Sequence, residues 1–450
     1  MRLTWIQPED LVGHELRQAE QDGRDVSAIA DRWHAAGGHD APPRAGASPE
    51  PAEPDLRALA DDLLAELDTI PSPLHEPTAL PEIIAACPDW PAAAPATVKE
   101  DRVYGAWLGR AAGCVLGKPV EKIPREGIRE IAEATGNWPI RGWFTAKGLP
   151  REIADRWPWN RRSAVNSLAE NLDGTPEDDD LNFPMLALAL LERHGPHFTT
   201  DEVAQAWLDE LPAGRVFTAE RVAYRNLLLG VEPPRTATYR NPFREWIGAQ
   251  IRTDVYGWVN PGDPAAAAAM AHRDACLSHT ANGVYGAMFA AAMCATALVA
   301  DSVDEVLRAG RAVLPEGSRM ACAVDEAVAS ARAEPDLDRL LDGLHERHAG
   351  LHWVHSVNNA ALVAAALAHG DGDFTRSIAA AVAGGWDTDS DGATVGSIAG
   401  ALGGAPGLPE AWTAPLRDRM TSSLTGFDGV RISELAERTT ALANLGAEAL

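Results

Sequence analysis

Two stretches of the chain concentrate carboxylates. One is PEDDDLNF at 176–183, with Glu177, Asp178, Asp179 and Asp180 in succession; the other is GGWDTDSDGA at 384–393, where Asp387, Asp389 and Asp391 alternate before Gly392. The second begins as a calcium loop does. Such a loop needs a bidentate Glu at its twelfth position, and that position is Ile398. The small residues that follow, Ala393, Gly396, Ala399 and Gly400, predict instead a helix that packs closely against a neighbour, with Asp391 as its cap. Each acidic run precedes an apolar segment, so each alone reads as a helix start, where negative charge meets the positive end of the dipole. Pro184 fits the first turn of the helix after the first run. If the two runs open helices of one core and face each other, their mutual repulsion demands a cation. Hard oxygen donors without Cys or His select Mg²⁺ or Mn²⁺, less readily Ca²⁺, over zinc.

Other chemistry-bearing patterns lead less far. His345, His348, His352 and His355 are spaced to line one helix face, although Gly350 interrupts it; the spacing predicts a surface or core stripe. CVLGKP approaches a phosphate-binding loop at Gly117 and Lys118, but Ala112 occupies the first glycine position and Pro119 stands for Ser/Thr. No G-x-S-x-G elbow is present.

The elements that must position the acidic runs are helices. From about Thr97 onward, Ala/Leu/Val segments of helical periodicity are punctuated by Gly and Pro: Asp101–Leu116, Pro184–Arg193, Asp201–Glu210, Asn282–Ala300, Val303–Val313, Asn358–Ala368, Phe374–Ala383 and Ala393–Leu402. The expected class is all-α, with one helical domain over 97–450 that the acidic runs make the candidate catalytic one. Residues 1–96 read as a Pro/Ala-rich appendage with two short helical pieces and no legible role.

Composition sets the surroundings. Acids outnumber bases 65 to 39 in 450 residues, a net charge of −26 that opposes nucleic acid and anionic membranes as partners. The five scattered cysteines form no C-x-x-C pair, which is the pattern of a reducing cytosol. The N-terminus lacks the apolar core of a signal peptide, and the most apolar run, Val284–Ala300, is short for a membrane span, so the expected location is cytoplasmic.

Four segments, in order, carry a family resemblance over about residues 97–405. YGAWLGRAAGCVLGKPVE at 104–121 is similar to G-x-x-x-G-x-x-x-G-D-x-L-G-x-P-x-E, and PEDDDLNF to T-D-D-T; GAQIR at 248–252 is similar to G-A-x-M-R, and GGWDTDSDGA to G-G-D-T-D-T. The sequence thereby resembles the ADP-ribosylglycohydrolases, the group that includes the hydrolase reactivating ADP-ribosylated dinitrogenase reductase. The resemblance implies an all-α domain holding two divalent cations, Mg²⁺ or Mn²⁺, between the acidic elements. Carried over by position, Glu177, Asp178, Asp179, Asp387, Asp389 and Ser390 are the implied ligands. Glu121 stands beside the substrate ribose, while Gly248, Ala249, Arg252 and His279 stand near the phosphate-bearing part of the ligand. Asp178, Asp179, Asp389 and Glu121 carry catalysis by this assignment.

The chain departs from the pattern at Cys114 (for Asp), Glu177 (for Thr), the inserted Trp386, and Ser390 (for Thr). Serine keeps a hydroxyl; the extra carboxylate and the indole alter the pocket, with Trp386 facing substrate. The implied reaction is hydrolysis at a ribose anomeric carbon, in an ADP-ribosylated protein or a nucleotide-like small molecule. Two other readings stay open: an inactive ADP-ribose or nucleotide binder of the same fold, and a metal-free glycosidase using two carboxylates.

Overall fold

The computed structural model describes residues 2–41, 47–94, 96–160 and 163–448. Among these, regular structure is helical, and extended pairing is confined to isolated bridges, Thr175 with Met420 and Trp246 with His355. The all-α expectation holds. No described helix is long and apolar enough to cross a membrane, and the five cysteines are free.

The tightest helix pair in the fold is the one that builds the site. Gly105, Gly109, Gly113 and Gly117 recur every fourth residue along the Glu100–Gly117 helix, and Gly392, Gly396 and Gly400 do so along Thr388–Gly403. Residues four apart share a helix face, so each helix presents a stripe without side chains. A Cβ at Gly109 would collide with the Gly396 carbonyl oxygen, one at Gly113 with that of Gly392, and one at Gly117 with that of Thr388. The helices run antiparallel in backbone contact. This carries the end of the first helix to the start of the second, where Thr388 Oγ1 donates to the Gly117 carbonyl at 2.8 Å.

The third element is the Asp179–His194 helix. It starts five residues before Pro184, so this proline lies inside the helix and not in its opening turn at the boundary the sequence predicts. An interior proline leaves the carbonyl four residues earlier without its helical donor. Here that carbonyl belongs to Asp180, and the Nε and Nη2 of Arg110 donate to it at 3.0 and 2.7 Å. Arg110 is fully buried, and its Nη1 also pairs with Asp254 at 2.7 Å. The proline's missing N–H thus creates the acceptor that ties this helix to the glycine-striped one.

Ala281–Ala297 and Ser356–Gly370 are buried almost all round, as expected of apolar helices inside a core. The histidine series does not share one helix: Leu337–Arg347 ends before His348, and His355 is the N-cap of Ser356–Gly370. The described part of residues 1–96 holds four helices where two pieces were expected, Pro8–Gln21, Ser27–Ala35, Pro54–Leu67 and Leu80–Ala85. Their Leu11, Trp33, Leu63 and Ile83 join the same hydrophobic cluster as the rest of the chain.

Candidate metal centre

Both acidic runs are helix starts. Asp178 is the N-cap of Asp179–His194, its Oδ1 accepting from the Asp180 amide at 3.0 Å; an extended cap followed by helix turns Asp178 and Asp180 to the same side. Asp387 occupies the cap position of Thr388–Gly403, with Asp389 and Ser390 in its first turn. The two starts meet. Carboxylate oxygens of Asp178, Asp180 and Asp389 lie within 4.8 Å of one another, all three residues being buried. Ser390 Oγ donates to Asp180 Oδ2 at 3.2 Å, while Asp180 Oδ1 accepts no hydrogen bond among the described residues.

One positive charge already stands in this group. Lys118, 8% exposed, ion-pairs through Nζ with Asp178 Oδ2 and donates to the Glu177 carbonyl at 2.8 Å. Burial opposes ionisation of Asp178, yet Lys118 holds its carboxyl below the ordinary value. The others go the opposite way. Burial, then Asp178 and Asp179, pushes Asp180 well up; burial, then Glu121, Asp178 and Asp180, does so to Asp389; burial, then Asp389 and Glu121, to Asp387. Asp179, at the half-buried edge, is raised by burial and by Asp178. Carboxyls crowded this far above their ordinary range either stay protonated or take a cation.

The rim is aromatic. Glu121 is held by Asn160 Nδ2 at 2.6 Å and by Lys122 Nζ at 2.7 Å, and Lys122 lies over the Trp353 ring at 5.9 Å. Trp386 has φ of 60° and stacks on His345 with centroids 4.3 Å apart. Asn359 links the two sides, accepting from the Asp387 amide at 3.3 Å and donating to the Trp353 carbonyl at 2.9 Å.

Other sequence-predicted residues are elsewhere engaged. The Glu177 carboxylate turns to Arg215 at 3.1 Å and Asn182 at 3.3 Å. Arg252, 1% exposed, spends all five N–H donors inside the protein: on Asp274 Oδ1 and its carbonyl, on Glu220 at 2.7 Å, on the Gly248 carbonyl and on Ser278 Oγ. A Cβ on Gly248 would strike the Glu220 carboxylate. Ala249 and His279 are fully buried, His279 Nδ1 meeting Ser278 Oγ at 2.8 Å. Arg252 therefore sits in a buried ion cluster with no donor left for a phosphate, while His279 Nε2 has no hydrogen-bond partner among the described residues. Two residues of the centre were not singled out from sequence. Asp180 lies in the first acidic run one residue beyond its T-D-D-like register, and Lys118 lies in the GKP stretch, which departs from a phosphate loop.

The family described as ADP-ribosylglycohydrolase matches residues 95–448. The chain belongs to it. Members of this family are generally hydrolases of glycosidic bonds and typically use divalent metals. An uncharacterized protein of Archaeoglobus fulgidus is 27% identical over 327 residues, 71% of this chain and 93% of that protein. A solved structure described as an ADP-ribosylglycohydrolase-related protein complex is similar at 21% identity and a TM-score of 0.49, over 77% of this chain and 98% of its own. For an ADP-ribosylglycohydrolase, the donor set present here fits the cation class: three converging buried carboxylates, one oxygen of which accepts no hydrogen bond among the described residues, and no His or Cys among them. Cys114, where this chain departs from the family pattern, is fully buried, and burial raises its thiol well above the ordinary value, which keeps it neutral.

Proposed function

We propose that this chain is a divalent-cation-dependent hydrolase that cleaves a glycosidic bond at the anomeric carbon of a ribose, in an ADP-ribosylated protein or a nucleotide-like small molecule. The observation that carries the reading is the meeting of two helix starts, more than 200 residues apart in sequence, as buried carboxylates within 4.8 Å. Asp178, Asp180 and Asp389 would hold Mg²⁺ or Mn²⁺, with Asp387 and Asp179 beside them and Ser390 orienting Asp180. When bound, the cation supplies charge that orients ribose hydroxyls and lowers the pKa of water.

The chain's own groups supply the rest. Glu121, fixed by Asn160 and Lys122, accepts from a ribose hydroxyl and favours the positive charge that develops at the anomeric carbon as the glycosidic bond breaks. Asp179, partly exposed at the edge of the group, takes the proton of the attacking water as general base. Trp386 and Trp353 flank the approach and exclude bulk water from one side. The test is turnover of ADP-ribosylated protein, ADP-ribosyl-arginine and a nucleoside panel, each with and without Mg²⁺ or Mn²⁺. Metal-dependent release from any of them supports the proposal; none from all excludes it. Tight calorimetric binding of ADP-ribose without product would assign the binder reading instead.

A further inference from the structure

We infer that Asn359 is a positioning residue for this centre: one buried amide holds both the Asp387 end of the metal pocket and the Trp353 side of the rim, so that the two are set as a unit. The inference rests on the proposed reading of the pocket as a cation-dependent hydrolase site. Asn359 stands in the first turn of Ser356–Gly370 and is fully buried. Its Nδ2 donates to the carbonyls of Trp353 at 2.9 Å and His355 at 2.8 Å, and its Oδ1 accepts from the Asp387 amide at 3.3 Å. A side-chain amide offers two donors on nitrogen and an acceptor on oxygen. Two carbonyls on one side and an N–H on the other therefore engage both ends of it and leave it a single orientation. The bond to Asp387 is buried, where a backbone N–H without an acceptor is costly.

The need for such a hold lies in the chain around Asp387. Gly385 and Trp386 lead into the Thr388–Gly403 helix at φ of 73° and 60°, the left-handed region that a tryptophan enters only against strain. Asp387 follows in the cap position, but its carboxylate makes none of the bonds to helix amides that a capping side chain ordinarily makes. The carboxylate is thus left to the pocket, and the main chain must be fixed by other groups. Thr388 is fixed through its hydroxyl on the Gly117 carbonyl, from the glycine-striped helix; Asp387 is fixed by Asn359, from Ser356–Gly370. The same amide gathers the segment between Leu337–Arg347 and Ser356–Gly370, which carries Trp353 with Lys122 over its ring at 5.9 Å. Asn358 supplies the contrast. It is equally buried, one residue away on the same helix, yet neither its Oδ1 nor its Nδ2 has a hydrogen-bond partner among the described residues. Burying an asparagine at this helix start does not by itself make the connection; the position of Asn359 does.

The experiment uses the full chain with Asn359→Leu, Asn359→Asp and, as control, Asn358→Leu. Each is checked for folding by urea unfolding in chelator, titrated with Mn²⁺ by calorimetry, and assayed for KM on a substrate that the native chain turns over. Asn359→Leu loses all three bonds, so Mn²⁺ affinity is expected to fall about 10-fold or more, as when groups that orient metal ligands are lost, and KM to rise. Asn359→Asp keeps an oxygen for the Asp387 amide and loses the nitrogen donors, so KM is expected to rise while Mn²⁺ affinity falls less than in Asn359→Leu. Asn358→Leu is expected to match the native chain in both. Native Mn²⁺ affinity and KM in Asn359→Leu, or equal losses in Asn358→Leu, overturn the inference and leave the hydrolase reading intact. Where Asn359→Leu does not fold, a native KM in Asn359→Asp overturns it. Mn²⁺ bound without turnover removes the hydrolase reading, and the affinities alone then decide the inference; a native chain that binds no Mn²⁺ overturns both.

Discussion

Asp389 and Asp391 occupy the same helix, two residues apart, and face opposite situations. Asp389 meets Asp178 and Asp180 across the pocket, so Asp389→Asn removes an anionic ligand. Mn²⁺ affinity is expected to fall by at least about the 10–100-fold seen when groups that merely orient ligands are lost, and turnover with it; unchanged calorimetric affinity would remove Asp389 from the centre. Asp391 was expected to cap this helix. It is instead the helix's fourth residue, fully buried, with neither carboxylate oxygen hydrogen-bonded among the described residues. Burial, and then Asp387, pushes its carboxyl well above the ordinary 3.8. A folded-state pKa raised in this way costs stability as pH rises past the unfolded value. In chelator, then, Asp391→Asn should melt above the native chain at pH 8 and lose that advantage by pH 4. Melting curves in which the difference does not change with pH would show that Asp391 stays ionised with an unrecognised partner.

At the scale of elements, the glycine stripe is the device on which the centre depends. Gly113→Ala places a methyl group against the Gly392 carbonyl. Backbone cannot yield as a side-chain tip does, so the helices must separate. Overpacking of this kind costs about 1–3 kcal/mol, and the separation moves Lys118 and Asp389 away from Asp178. Both denaturant stability and Mn²⁺ affinity should therefore fall, whereas a stability loss with native affinity would mean that the helix starts are held by other contacts. The second helix of this pair was legible in sequence because the small residues Ala393, Gly396, Ala399 and Gly400 have a direct steric meaning, and so was the order of the acidic runs; the stripe on its partner entered only within the family motif. The start of the Asp179–His194 helix was not legible. Proline marks a first turn by its missing N–H, but here Arg110, 70 residues away in sequence, satisfies the freed carbonyl, and no local signal announces such a partner. Arg252 illustrates the same limit. Its position as the Arg of the G-A-x-M-R-like segment implied a phosphate contact, whereas Glu220 and Asp274, which consume its charge, are distant in sequence and follow no spacing rule.

At the scale of the whole molecule, the unread part was the N-terminal segment, whose composition gave no role because its partners lie far along the chain. It docks through buried charge: Arg244 pairs with Glu15 at 2.8 Å and Asp22 at 3.2 Å, and Arg319 binds Glu76 and Glu245, the latter also bonded by Gln18 at 2.8 Å. Among these pairs the Pro8–Gln21 helix inserts His14, 3% exposed, edge-on against Phe243 at 5.0 Å and Trp246 at 5.8 Å, with no hydrogen bond to either ring nitrogen among the described residues. Burial, then Arg17 and His39, pushes its pKa from the ordinary 6.5 down to about 3. Between those values the unfolded chain binds a proton that the folded chain refuses, so the contribution is complete above pH 6.5 and is lost as pH falls, at about 1.4 kcal/mol per unit. His14→Phe keeps an aromatic ring in the cage and removes the proton. From pH 7 to 5 the native chain should lose about 2 kcal/mol more than this variant in urea unfolding. If only the N-terminal segment detaches, the same difference should appear as earlier proteolytic cleavage within residues 1–96 at pH 5, with the remainder still folded. Equal losses in both chains, by both readouts, would mean that the docked helix accommodates a charged imidazole, and that the acid sensitivity of the molecule lies in its carboxylates alone.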